Sequence, residues 1–220
     1  MNIKVIATAD GSSSLYVEEL NETYHSRHGA VTESQHVFIK EGLEYITTDH
    51  VKILEVGLGT GLNAALSFHM AGNKTIDYHS LEPFPLANKL IEKLNYNDLI
   101  HNEAFSYTFK KIQESIISGN SIDFRNGFFQ WEKISIQDFS KNQRYNLIYF
   151  DAFAPSKQPE MWEKSIFGKL YDCLEVGGVL VTYCAKGQVK RDLNDCGFQV
   201  ETLTGPPGKK EMIRAQKPNR

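Results

Sequence analysis

Cysteine, long apolar runs and an excess of positive charge are all scarce in this 220-residue sequence. The three cysteines, Cys173, Cys184 and Cys196, are odd in number, and no two have C-x-x-C spacing. A disulfide framework and a cysteine-rich zinc site are therefore excluded, and reduced cytosolic thiols are the expectation. The histidines lack metal-ligand spacing, so no metal is expected. No stretch approaches the roughly 20 apolar residues that cross a bilayer. The N-terminus, MNIKVIATADGSSS, has no apolar core of signal-peptide length. These absences predict a soluble, cytoplasmic protein with no membrane partner. The formal net charge is −3, so no basic field covers the whole surface, and by that number alone a nucleic-acid substrate is disfavoured.

What is present is a chain with 41% hydrophobic residues, enough for a packed core and for one domain with a small appendage. Residues 1–50 read as an N-terminal extension. In it, Ile3–Thr8 and Ser14–Glu19 flank an Asp10-Gly11 turn as a hairpin. In the polar patch Tyr24–Gly29, Tyr24, His25, Arg27 and His28 could grip a nucleotide, although a hydrated loop is the commoner reading of such a stretch. Thr32-x-x-Gln35 has the form of a capping box for a helix running to about Ile46.

From residue 51 to 220, strand and helix patterns alternate. Strands are expected at Lys52–Gly57, Thr75–Glu82, Phe128–Ile136, Tyr145–Asp151, Gly177–Cys184, Phe198–Thr204 and Glu211–Gln216. Helices are expected at Leu62–Ala71, Leu86–Leu94, about Asp98–Ile117, Pro159–Leu174 and Gly187–Cys196. Phe128, Phe129 and Trp131 read as core. The fold class is α/β, with a mostly parallel seven-stranded sheet whose last two strands form a hairpin. Such sheets bind ligands at the carboxyl ends of their strands.

The distinctive residues fall at those ends. Gly57, Gly59 and Gly61 stand between a strand and a helix, and the next strand ends at Glu82, 25 residues after Gly57. Glycine lets the backbone turn tightly beside a ligand, and a carboxylate so placed can accept both hydroxyls of a ribose. Leu62 replaces the last glycine of the dinucleotide spacing, so a nucleoside without pyrophosphate is the better fit. Asp138 follows the third strand, where it could face an adenine edge or cap a turn. Asp151 ends the most apolar strand and opens DAFAPSKQPEMW, in which Phe153 and Trp162 offer flat surface and Pro155 and Pro159 stiffen the loop. A carboxylate in a cleft can orient an amine and accept its proton.

LEVGLGTGLN, SLEPFPL, FDAFAPSKQPEMW, LVTYCAKGQVKRDLNDCGF and GPPGKKEMIRA, with TESQHVFI near the start, together resemble the methyltransferase part of the bifunctional tRNA 5-methylaminomethyl-2-thiouridine biosynthesis family. The resemblance implies a class I S-adenosylmethionine-dependent, Rossmann-like methyltransferase. The implied reaction converts the aminomethyl group of a tRNA wobble uridine to methylaminomethyl. It also implies a separate enzyme that supplies the amine, because 220 residues leave no room for the relatives' oxidase domain. Carried onto this chain, Glu55, Gly57, Gly59, Gly61, Asn63, Glu82, Gln137 and Asp138 would contact S-adenosylmethionine, and Asp151 would be catalytic. Glu33, Ser34 and Gln35 would close over the cofactor. Phe153, Pro155, Lys209 and Lys210 would contact substrate. Two departures stand out. Ala152 replaces a family glycine, and the late family motif G-x-G-R-K-R-E-M reads G-P-P-G-K-K-E-M here, which weakens bidentate phosphate contacts.

Two other readings remain. A spermidine-synthase-like aminopropyltransferase would want a second acid beside Asp151, and Phe153, Ala154, Pro155 and Ser156 supply none. A non-catalytic adenosyl-binding subunit would lack Asp151 or the glycine turn. The net charge also divides unevenly. Residues 1–185 carry 16 basic and 23 acidic side chains, whereas residues 186–220 carry 8 and 4. Lys186, Lys190, Arg191, Lys209 and Lys210 are therefore candidates for a basic rim that places a phosphate backbone.

Overall fold

The two most apolar strand segments lie side by side at the centre of one sheet. These are β4 (His50–Val56) and β8 (Tyr145–Phe150), and they run parallel. Each is buried on both faces, which is why polar alternation is missing from its sequence. In β4, Val51 and Ile53 enter one buried cluster while Leu54 and Val56 enter the other. A computed structural model describes residues 2–140 and 143–219.

The N-terminal strands β1 (Ile3–Ala7), β2 (Ser13–Val17) and β3 (Glu22–Thr23) form a small antiparallel sheet of their own. The main sheet adds β5 (Thr75–Leu81), β6 (Ile122–Phe124), β7 (Gly127–Glu132), β9 (Leu174–Thr182), β10 (Gln199–Thr204) and β11 (Glu211–Gln216). Its order is β10-β11-β9-β8-β4-β5-β7-β6. The neighbours from β9 through β7 are parallel, β11 joins β9 antiparallel, and β10 and β6 are antiparallel edges. All seven expected strands are present. The eighth, β6, was missed because three residues, of which only Ile122 and Phe124 are apolar, give too short a pattern.

The helices are α1 (Ala30–Ser34), α2 (Leu62–His69), α3 (Asn88–Ile91), α4 (Tyr96–Ile100), α5 (Glu103–Ser118), α6 (Lys164–Cys173) and α7 (Gly187–Asp195). One face of the sheet is covered by α2 and α5, through Leu62, Leu66, Phe105 and Phe109, and the opposite face by α6 and α7, through Phe167, Leu170 and Leu193. The first cluster also takes in Leu15, Val37 and Phe38, and Phe38 meets the Tyr149 ring at 5.0 Å between centroids.

Several expected helices are shorter or broken. The capping box at Thr32 does not form, because Thr32 is already inside α1. The helix starts after Gly29, and Asp10 from the β1–β2 turn caps it from a distance. Asp10 Oδ2 accepts from the Thr32 amide at 3.0 Å and from its hydroxyl at 2.9 Å. Gln35–Lys40 then continue as a π-helical turn, so the expected helix to Ile46 is not continuous. The helix expected over 98–117 breaks at His101, whose φ is 47°, and restarts with Asn102 capping the Phe105 amide. Pro159–Trp162 form a separate 3-10 turn, and Glu163 in extended conformation divides it from α6.

This topology puts a switch point between β4 and β8. The chain leaves β4 toward β5 and β7, then returns across to β8. The carboxyl ends of these neighbouring strands diverge into loops that frame a crevice.

Candidate active site

Three strand ends build the crevice: the glycine turn after β4, Glu82 after β5 and Asp151 after β8. The resulting cleft encloses about 510 Å³, with Gly57, Gly59, Glu82, Asp151 and Phe153 all in its wall. Gly57 has φ +96°, and a Cβ there would stand 2.6 Å from the Asp151 carbonyl oxygen. This close approach, rather than ligand access alone, makes glycine necessary, since it brings the turn against the end of β8. Gly61 differs from the other two. It does not line the cleft, and its missing side chain admits Ile112 of α5.

Glu82 is fixed by two backbone donors. The Gly59 amide reaches Oε2 at 3.1 Å and the Phe84 amide reaches Oε1 at 2.9 Å. Burial pushes its carboxyl above the usual range, and these two donors oppose the rise. A carboxylate so oriented, beside a turn that exposes backbone, has the donor and acceptor set that a ribose needs.

Asp151 is oriented by Asn63, whose Nδ2 donates to its Oδ2 at 2.9 Å. The same nitrogen donates to Glu55 Oε1 at 3.1 Å, and Ser80 Oγ donates to Glu55 Oε2 at 2.8 Å. Burial raises the Asp151 carboxyl to about 7. Glu33 adds to the rise, while Asn63 and Lys209 oppose it. Burial likewise raises Glu55 to about 8, against the hydrogen bonds from Ser80 and Asn63. An acid that titrates near neutrality at a cleft wall can exchange a proton with a bound group.

The other expected contacts separate into those that face the cleft and those that do not. Glu55 and Asn63 are buried behind the wall, and their hydrogen bonds run to Asp151 and its surroundings. Gln137 and Asp138 are exposed beside the wall residues Ser135 and Ile136. Asp138 accepts from Ser135 Oγ at 2.7 Å, while Gln137 Nε2 contacts Met161 Sδ at 3.5 Å. Of Glu33, Ser34 and Gln35, only Glu33 lines the cleft; Ser34 is buried elsewhere and Gln35 is exposed. Phe153 faces the cleft, whereas Pro155 does not line it.

The expected basic rim is reduced. Lys209 points inward, ion-paired to Glu33 and lying 3.9 Å from the centre of the Tyr183 ring. Lys190 is engaged by Glu211 at 2.6 Å. Lys186, Arg191 and Lys210 remain exposed. Arg220, counted in the same C-terminal segment, lies outside the described residues.

Part of the wall comes from the polar patch near the N-terminus. Tyr24, His25, Ser26 and Arg27 all line the cleft, as the nucleotide-gripping alternative for this patch requires, whereas His28 does not line it. The Tyr24 ring meets Phe153 edge-on at 5.1 Å, and His25 Nε2 is 2.9 Å from Thr60 Oγ1. Burial lowers His25 to about 4, so its ring is neutral at physiological pH. Tyr183 was missed by sequence reasoning; its hydroxyl donates to the Ala152 carbonyl at 2.8 Å. A histidine-rich stretch with no periodicity carries no signal that another segment covers it. The local sequence after Asp151 likewise hides the acid that approaches it in space, Glu33. That carboxylate is committed to Lys209 and to the Ser26 amide at 2.7 Å.

Comparisons with known proteins bear on the same region. A family model described as S-adenosyl-L-methionine-dependent methyltransferase matches residues 101–218. The tRNA 5-methylaminomethyl-2-thiouridine biosynthesis bifunctional protein MnmC of Pseudoalteromonas translucida is 26% identical over 227 residues, covering 89% of this chain and 33% of its own. The MnmC of Leptospira interrogans serovar copenhageni is 29% identical over 213 residues, covering 89% and 32%. The chain thus spans about a third of the length of these curated relatives. Among solved structures, MNMC2 from Aquifex aeolicus matches with a TM-score of 0.82 at 22% identity, over 100% of this chain and 71% of that one. Spermidine synthase from Thermotoga maritima matches at 0.58 and 12% identity, over 99% and 69%. At these identities the solved structures share the fold.

Proposed function

This chain belongs to the family of S-adenosyl-L-methionine-dependent methyltransferases, matched over more than half its length, and from that premise we propose that it methylates the aminomethyl nitrogen on the wobble uridine of tRNA. The observation that carries this reading is Asp151, held by Asn63 at the cleft wall and titrating near neutrality. An amine acceptor needs such a group, because it attacks only when neutral and sheds a proton as it gains a carbon. Wobble-uridine chemistry is supported by the names of the MnmC relatives.

When bound, S-adenosylmethionine supplies an electrophilic methyl group on a sulfonium. Gly57, Gly59 and Glu82 suit its ribose and backbone-facing parts, with Gln137 and Asp138 at the adenine end. Asp151 accepts a hydrogen bond from the acceptor nitrogen, aims its lone pair into the cleft and takes the proton released. In-line positioning supplies most of what methyl transfer requires. Tyr24 and Phe153, packed edge-on, give the acceptor's base an aromatic corner, and Tyr183 holds the backbone beside Asp151. Asn63 and Glu55 act behind the wall by orienting Asp151. Lys210, on the exposed loop before β11, contacts the tRNA backbone. A separate enzyme makes the free amine, and the work is cytoplasmic, where tRNA is matured. Among the described residues no helix is long and apolar enough to cross a membrane.

The test is incorporation of label from methyl-labelled S-adenosylmethionine into tRNA that carries 5-aminomethyl-2-thiouridine. Label is expected in the wobble nucleoside. Measurable cofactor binding without label there contradicts the reading, and aminopropyl transfer to a polyamine from the decarboxylated cofactor would replace it.

A further inference from the structure

Glu33 and Lys209 come from opposite ends of the chain and meet beside Asp151. Glu33 is on α1, close after the N-terminal sheet, and is buried. Lys209 is on the loop between β10 and β11, at the far edge of the main sheet. Their ion pair joins two segments that no hydrogen-bond ladder connects. The same loop is pressed onto the N-terminal segment at a second point, for a Cβ on Gly208 would fall 2.0 Å from His28 Cδ2. Lys209 also caps the face of Tyr183, whose hydroxyl is bonded to the carbonyl of Ala152, the residue after Asp151. Glu33, Lys209, Tyr183 and Asp151 therefore share the wall of one cleft.

We propose that Glu33 and Lys209 are a pair of positioning residues that close the acceptor end of the cleft and set the charge of Asp151. This rests on the reading of Asp151 as the group that takes the acceptor's proton. A buried carboxylate on the same cleft wall as Asp151 resists its ionisation, and the Lys209 ammonium paired with that carboxylate offsets the resistance. Lys209 alone on a rim would be a phosphate contact. Paired with Glu33 over an aromatic face, it is instead a compensating charge inside the site. A carboxylate–ammonium pair adds little net charge, so it keeps the cleft open to an amine while holding three segments in register.

The other groups within electrostatic reach of Asp151 are Glu55 on β4, Tyr78 on β5 and Tyr183 after β9. Both tyrosines are held in the neutral phenol form by burial. Glu55 reaches Asp151 through Asn63. All three are unchanged in the variants below, so the pair's effect can be read separately.

The experiment follows the Asp151 carboxyl carbon by NMR, in protein labelled at aspartate, without cofactor or tRNA. Asp151→Asn provides the assignment. In Lys209→Met the titration midpoint rises by about one pH unit, because Glu33 then acts uncompensated. In Glu33→Gln it falls, and in the double variant it returns toward the wild-type value. Lys209→Arg restores it. Methyl-transfer rates give a second readout. Lys209→Met loses about fivefold in kcat/KM at pH 7 and recovers by pH 9, as a raised base should. A pair that merely holds the fold together would give a loss independent of pH. Unchanged midpoints, or shifts of the same sign in the two single variants, would overturn the proposal. The titration needs no turnover, so it stands even if the tRNA reading fails. If the titration shifts as expected but label never enters tRNA, only the substrate assignment is wrong.

Discussion

One amide nitrogen joins two acids: Asn63 Nδ2 donates to Glu55 Oε1 at 3.1 Å and to Asp151 Oδ2 at 2.9 Å. Glu55 is fully buried, Asp151 is at the cleft wall, and Asn63 stands on the first turns of α2 between them. The glycine turn makes this possible by bringing the start of α2 against the end of β8.

This linkage predicts a pH dependence of stability. Glu55 is raised to about 8 and Asp151 to about 7, well above the values of roughly 4 for carboxyls in an unfolded chain. The native state therefore holds more protons than the unfolded state between those limits. Their stabilising effect is complete at low pH and is lost as pH rises through 7 and 8. His25, lowered to about 4, acts in the opposite sense, but its contribution is complete above about pH 6.5. Urea midpoints measured from pH 6.5 to 9 should fall in the wild type, and Glu55→Gln should flatten that fall. An unchanged slope in the variant would contradict the assignment.

Gly57→Ala tests the close approach of the turn to β8. Its φ of +96° is unfavourable for alanine, and the added methyl would sit 2.6 Å from the Asp151 carbonyl oxygen. A loss on the order of 2–4 kcal/mol is expected by chemical denaturation, together with weakened cofactor binding. Gly72→Ala is the control for backbone strain alone, since it shares a positive φ of 61° but meets nothing within 4 Å.

Asp10→Ala tests the long-range cap of α1. Asp10 also accepts from the Ser12 amide at 2.9 Å and from Thr8 Oγ1 at 2.8 Å. Burial would raise its carboxyl, but hydrogen bonds from Ser12, Thr32 and Thr8 bring it down to about 2. Its stabilisation is present above the unfolded value near 4 and is lost as pH falls through about 2. Removing it should cost about 1–2 kcal/mol at neutral pH, with the difference from wild type shrinking in acid. Thermal melts at pH 7 and pH 2.5 check both points.

The inward turn of Lys209 divides two adjacent lysines by role. Lys210→Ala should lower the dependence of tRNA methylation on log salt concentration by about one unit of slope, whereas Lys209→Met should leave the slope near wild type and change the pH profile instead. Equal changes in slope for both would return Lys209 to the rim.

Much of this arrangement was legible in the sequence because strand ends are marked locally. The apolar run Tyr145–Phe150 announced a central strand, so Asp151 had to emerge at its carboxyl end. Glu82 and the glycine turn were legible for the same reason. What escaped was contact between distant segments. Glu33 meets Lys209 across 176 positions and Asp10 caps Thr32 across 22, and neither has a periodic signature. The Tyr24–Gly29 patch read more readily as solvated because polarity alone does not show which face is covered. Lys209 looked like a surface charge because its partner is far away in the chain. The break at His101 carries no glycine or proline, and its one local mark is Asn102-Glu103, a cap and first-turn acid that the continuous apolar pattern overrode.

The account turns on Asp151 as the group that engages the acceptor, and Asp151→Asn tests this most directly. Cofactor affinity by calorimetry and single-turnover methyl transfer to aminomethyluridine tRNA should be measured on the same preparation. The account predicts affinity within about twofold of wild type and a rate lower by about 10²–10⁴. Equal losses of affinity and rate would contradict it and make Asp151 a cofactor ligand or a structural residue.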